Sequence, residues 1–207
     1  MLGAIKLVCF HGPNMNQSAT DYDIGEIERH LNAYKLGGYL TNAKGEITTA
    51  TFGRYNIRAD SGIVDINHSI TLGTPDTPTG ANWVGVQFGR ITGDFNFGHN
   101  PTITSLRGVP RIINGGLYCA QSGITNFSGI DKLIDRMNGQ IYIPNESTHL
   151  LGMLLVRGLG HVNIAISTKP GGTAEDILNK YIRLGHQDIL SAQDELIDAG
   201  FTEQARF

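Results

Sequence analysis

The chain of 207 residues is poor in cysteine, with two, and has one tryptophan and seven prolines. Cys9 and Cys119 are too few for a disulfide scaffold or for any Cys-rich zinc pattern, so both are expected to be free thiols. Cations are not in excess either. Lys plus Arg is 16 against 19 Asp plus Glu, a formal charge of −3, which argues against a general binder of nucleic acid or anionic membrane. Long apolar runs are missing as well: the stretch Leu150 to Val156 is interrupted by Gly152 and stopped by Arg157, where a membrane helix needs roughly 20 residues. The first ten residues lack the basic start, long apolar middle and small-residue cleavage site of a signal peptide.

What is abundant is glycine, 27 of 207, about one residue in eight against about 7% on average. Many positions must therefore turn sharply or bring backbone against backbone. The glycines fall within an internal repeat. Ile91-Thr-Gly-Asp-Phe-Asn-Phe97 matches Ile113-Asn-Gly-Gly-Leu-Tyr-Cys119 at an offset of 22, and Ile103-Thr-Ser-Leu-Arg-Gly-Val109 matches Ile124-Thr-Asn-Phe-Ser-Gly-Ile130 at 21. A third copy opens at Asn138-Gly-Gln-Ile-Tyr-Ile143, and a degenerate earlier one at Gly62-Ile-Val-Asp-Ile66.

A unit of this length offers one short strand and one return turn. It cannot bury its apolar side alone, so the units are expected to stack into a solenoid. Strand alternation then points Phe95, Phe97, Leu117, Cys119, Ile141 and Ile143 inward. Asp94, Asn96, Tyr118, Gln140 and Tyr142 face outward and form the candidate binding row. Ile103, Leu106, Ile124 and Phe127 fill the core from the return side. Asn100, and Ser122 more weakly, bond the turn backbone, while Gly108 and Gly129 make the next bend.

The first unit, with Phe95, Asn96, Asn100, Ile103-Thr104-Ser105-Leu106, Gly108 and Pro110, resembles a short leucine-rich-repeat form found in tailed bacteriophages, G-x-F-x-C-x-x-N-x-L-T-S-L-x-G-x-P. The second unit resembles it through Leu117, Tyr118, Cys119, Ile124, Thr125, Phe127 and Gly129. Gln193 to Phe201 resembles the helical tail of the same proteins. The likeness spans about residues 62–207 and departs from the family in its few units and in the section before them. It implies an α/β, short leucine-rich-repeat-like solenoid with parallel strands. It also implies a phage source, with a place in the cytoplasm of the infected bacterium or in the virion.

Residues 1–60 read as an N-terminal α/β section. It holds a strand at Ile5 to Phe10 and a helix capped by Asp21 or Asp23, with Ile24, Ile27, Leu31 and Tyr34 on one stripe. A hairpin of Tyr39–Thr41 with Glu46–Thr51 follows. Residues 61–170 form the solenoid. Late in it, Leu150, Leu151, Leu154 and Leu155 form a buried helix or return face, and Val162 to Ser167 alternates as a strand. Residues 171–207 form a helical cap. Thr173 and Asp176 stand at capping-box spacing, and Ile177, Leu178, Tyr181 and Ile182 make a buried stripe. Asp188 starts a second helix that buries Ile189, Leu196 and Ile197 and stops at Gly200. With seven acids against three bases, this section carries −4 and the rest +1.

Local chemistry is sparse. No two of the seven histidines stand at metal-ligand spacing. His68 and His99 occupy equivalent places if the early copy is in register, and read as solvent-edge turn residues. Lys6 to Asn16 resembles the opening of type II dehydroquinate dehydratase, but that family's Tyr loop and His motif do not follow. Gly171-Gly172-Thr173 lacks phosphate-loop spacing, and Asp194, Glu195 and Asp198 read as a solvated face. The expectation is a non-enzymatic protein–protein interaction module without metal or cofactor, binding a phage or host protein, with a homo-oligomer possible. A structural particle protein, and a small hydrolase or lyase with a site near His11, are the alternatives.

Overall fold

The computed structural model describes residues 55–58, 61–72, 82–164, 173–185 and 188–207, the strands β1 (Tyr39–Thr41) and β2 (Ile47–Ala50), and the helical positions Ile27 and Leu31. The expected strand at Ile5 to Phe10, the caps Asp21 and Asp23, Cys9, His11 and residues 165–172 lie outside the described residues. Ile27 and Leu31, two of the four stripe positions, are helical and buried. β1 and β2 pair antiparallel, with Tyr39 opposite Ala50, as the expected hairpin.

The repeat region coils into a parallel β-solenoid of about four turns. Each turn contributes two short strands, where the period alone predicts one. The first sheet runs β10 (Arg136–Met137), β8 (Ile112–Ile113), β6 (Phe88–Ile91), β4 (Val64–Ile66) and β3 (Tyr55–Ile57); only β3 is antiparallel. The second runs β12 (His161–Ile164), β11 (Gln140–Ile143), β9 (Leu117–Tyr118), β7 (Phe95–Asn96) and β5 (Ile70–Thr71), all parallel. Ile91 and Ile113 stand only four residues before Phe95 and Leu117, across a bend, so each unit reads along the chain as one strand and the first sheet is hidden in the sequence.

The repeat offsets are rung registers. Ile91 pairs with Ile113, and Phe95 with Leu117, which in turn pairs with Ile141. The early copy is shifted: Ile66 pairs with Ile91 in the first sheet, and Ile70 is the partner of Phe95 in the second. His68 therefore sits in the bend between the sheets while His99 follows Phe97, so the two histidines are not equivalent.

Inside, residues of one kind stack rung on rung. Phe95, Phe97, Leu117, Cys119, Ile141 and Ile143 are all buried, and the rings of Phe88, Phe95 and Phe97 meet at 5.1 and 5.3 Å between centroids. A fully buried side chain of this size contributes about 1.5–3 kcal/mol, so such ladders dominate the stability. Ile103, Leu106, Ile124 and Phe127 close the core from the return side. Asn100 Nδ2 donates to Leu72 O at 2.7 Å across the turns, whereas Ser122 Oγ reaches only its own turn, donating to Cys119 O at 2.7 Å.

The corner between the sheets is a column of glycines. A Cβ on Gly115 would lie 2.7 Å from Gly93 O, and one on Gly139 would lie 2.5 Å from Gly115 O. This backbone-on-backbone approach, repeated on successive turns, explains much of the glycine excess.

After α1 (Ile130–Leu133), the stretch expected as a buried helix or return face is a 3-10 helix, Leu151–Leu155. Leu150, Leu151 and Leu154 are buried, but Leu155 points out and is 46% exposed.

The cap comprises α2 (Ala174–Arg183) and α3 (Ile189–Asp198). The Thr173–Asp176 capping box forms, with Asp176 N donating to Thr173 Oγ1 at 3.2 Å and Thr173 N to Asp176 Oδ2 at 3.0 Å. Asp188 accepts from Ser191 N at 3.0 Å to start α3. Ile177, Leu178, Tyr181 and Ile182 are buried as expected; on α3 Leu196 and Ala192 are buried, whereas Ile197 faces out.

α2 ends the second sheet by standing in for the next strand. Asn179 Oδ1 accepts from Val162 N at 2.8 Å and its Nδ2 donates to Val162 O at 2.7 Å, while Glu175 Oε2 accepts from Ile164 N at 2.7 Å. Val162 N, Val162 O and Ile164 N on the outer edge of β12 are thus paired without another strand, and covering an edge in this way keeps it from pairing with other chains.

Candidate functional site

The five residues of the candidate row all lie on the outer face of the second sheet. Register places Asn96 beside Tyr118, Tyr118 beside Tyr142, and Tyr142 beside Asn163. In the neighbouring column Asp94, Gly116, Gln140 and His161 follow one another.

The two tyrosines stack, with ring centroids 4.7 Å apart and planes within 13°. This separation is the rung spacing of about 4.8 Å, so the rings stack along the solenoid axis and present edges and hydroxyls outward. Gly116 makes room for this: a Cβ there would lie 2.8 Å from the Tyr118 ring, which leans over the bare backbone.

Next to the stack lies a closed amide network. Gln140 Oε1 accepts from Tyr142 OH at 3.1 Å and from Asn163 Nδ2 at 3.0 Å. Burial, the Asp94 carboxylate and Tyr142 together hold the Tyr118 phenol above its usual range, which keeps it a neutral hydroxyl.

Asp94 and Asn96 serve the scaffold instead. Asp94 Oδ1 accepts from Gly116 N at 2.7 Å, bridging two turns, and Asn96 Oδ1 accepts from Gly98 N at 2.9 Å in an Asx turn. Two of the five are thus structural at their tips, and the exposed recognition chemistry concentrates in Tyr118, Gln140 and Tyr142.

Two residues complete the face beyond the original row. Asn163 extends the tyrosine column, and His161 extends the glutamine column with its Nε2 3.2 Å from Asn179 Nδ2. In the sequence, the alternation of Val162 and Ile164 marked a strand and no more. Only the pairing of β12 with β11 shows that positions 161 and 163 continue the same columns.

Cys119 is buried, its Sγ donates to Tyr142 O at 3.1 Å, and burial pushes its thiol far up, the opposite of a reactive thiolate. Among the described residues no group of three or more His, Cys, Asp or Glu could hold a metal ion, and no helix is long and apolar enough to cross a membrane. On the cap, Glu195 accepts from Lys180 Nζ at 2.6 Å and Tyr181 OH at 3.0 Å, tying α3 to α2. Compared with protein families, curated proteins and solved structures, the chain finds no significant match in any of the three.

Proposed function

We propose that this chain is a non-enzymatic interaction module that grips a protein partner through the tyrosine–amide face of its second sheet. The observation that carries the reading is the Tyr118–Tyr142 stack, supported by Gln140 and Asn163. Two large amphipathic side chains already locked in place lose little entropy on binding, and tyrosine is enriched among residues that dominate interfaces. The likeness to phage leucine-rich-repeat proteins supports a phage source, with the partner a particle component or a host factor.

The test is affinity capture from infected or native cells with the wild-type chain and the double variant Tyr118→Ala, Tyr142→Ala, followed by affinity measurement on the captured protein. Loss of two interface anchors is expected to cost at least about 2 kcal/mol, roughly thirtyfold in Kd. Circular dichroism should show an unchanged fold, because both side chains lie outside the core. Equal capture by the double variant rejects this face as the binding surface.

A further inference from the structure

The outer face of the first sheet, absent from the sequence reading, carries a column of arginines. Arg90 pairs in register with Ile112, Ile112 with Arg136, and Arg136 bridges to Arg157. All three arginines are exposed and Ile112 is half-buried between them.

Two other arginines of this face are neutralised: Arg58 pairs with Asp65 at 2.7 Å and Arg111 with Asp135 at 2.9 Å. The three in the column are not. Arg136 Nε donates to the amide oxygen of Asn138 at 3.1 Å and Arg157 Nε to the backbone oxygen of Asp135 at 3.2 Å, and among the described residues none of the three forms an ion pair with a carboxylate. With its two flanking Arg–Asp pairs the face thus carries a net +3 beside half-buried Ile112, although the Asp135 carboxylate also feels Arg157.

The complementary surface is at the other end of the same chain. On α3, Leu190 is 72% exposed and Ile197 45%, seven residues apart and so on one side of the helix. Asp194 and Asp198 lie on that side too, both exposed, and among the described residues neither takes part in an ion pair. A helix of ten residues is about 15 Å long. Three rung steps, from Arg90 to Arg157, span about 14 Å.

We infer that a second copy of this chain docks by laying the Leu190–Asp194–Ile197–Asp198 side of its α3 along the Arg90–Ile112–Arg136–Arg157 column. Sign and length match, and each surface sets apolar side chains among its charges. The contact is heterologous, so each copy keeps one free donor surface and one free acceptor surface, and association continues as a chain or closes as a ring. It uses a different face from the tyrosine ladder and stands or falls separately.

Sedimentation of the full chain tests it. The wild type is expected to show a mass that rises with concentration at low ionic strength and falls back toward monomer in high salt, where exposed charges are screened. Two variants, Arg136→Glu with Arg157→Glu and Asp194→Lys with Asp198→Lys, each reverse one surface and should remain monomeric alone. Mixed, the acidic helix of the first meets the basic column of the second, and the two reversed surfaces are complementary as well, so association should return. A wild type that stays monomeric at low salt overturns the inference, as do variants that associate like the wild type or a mixture that stays monomeric. All four substitutions are on exposed positions, and unchanged circular dichroism confirms that the comparison is between folded chains.

Discussion

At the scale of single residues, two glycines in equivalent bends separate two causes of strain. Gly108 and Gly129 both adopt left-handed backbone, with φ of +83° and +73°. A Cβ on Gly108 would also lie 2.4 Å from Val86 O, whereas nothing lies within 4 Å of one on Gly129. Gly129→Ala is therefore expected to cost only the backbone term, about 1–2 kcal/mol. Gly108→Ala adds a clash with a backbone atom that cannot rotate away, for a total of about 2–4 kcal/mol. Thermal unfolding of the two variants should rank them in that order; equal loss would mean that the bend at Gly108 relaxes freely. Both positions were legible from the repeat, because a glycine recurring after each return segment needs a bend. The 2.4 Å approach was not, because it depends on which backbone the next turn brings near.

Helix ends and helix pairing respond to acid. Asp176 is held below the usual carboxylate range by its bonds from Thr173, Asp188 by those from Ser191, and Glu195 by Lys180. A depressed carboxylate pKa contributes stability that is full above the unfolded value, near pH 4, and is lost as pH falls through the lower folded value. Lys180 is raised, chiefly by its bond to Glu195, so its share persists through neutral pH and is lost only as pH rises through that raised value in strong base. These groups are largely exposed and each effect is small. They lie in the cap, and the one other lowered carboxylate among the described residues, Asp135 bonded to Arg111, lies beside the first sheet, while the second sheet is held by apolar ladders. Hydrogen exchange, corrected for its intrinsic pH dependence, should show α2 and α3 losing protection below about pH 4 ahead of the second sheet. Loss of both together, or no loss in the cap by about pH 3, contradicts this. The capping box and the α2 stripe were readable because both are local patterns. The outward turn of Ile197 was not, since the choice between Ala192 and Ile197 as the buried partner depends on how α3 sits against the rest of the fold.

For the molecule as a whole, the decisive feature is how the stack ends. Asn179 gives β12 a partner for both Val162 N and Val162 O. Asn179→Leu keeps the bulk but leaves both buried groups unpaired, at an expected cost of about 2–4 kcal/mol. The exposed edge should then pair with other copies, visible as concentration-dependent aggregation with strand signature that the wild type does not show. A variant that stays stable and gains no strand-rich association beyond the wild type would mean that the apolar contacts of α2 alone seal the end. In the sequence Asn179 is one polar residue on a helix, and its role becomes visible only once the sheet edge is known to lie beneath it.

Periodic identity in one dimension was enough to establish a stacked core, its inward residues, its bends and the two capping helices. A repeat that cannot bury its own apolar side must do so against its neighbour, and helix caps are matters of adjacent residues. Folding in three dimensions settled what the period leaves open. It added a first sheet, divided from the second by a bend that the period does not mark, and with it the arginine column. It moved His68 away from the place of His99, showed which tips of the outer row are consumed by the backbone, and set Asn179 against an open edge. Each of these depends on which groups distant in the chain come within bonding distance, and a spacing along the chain does not encode that.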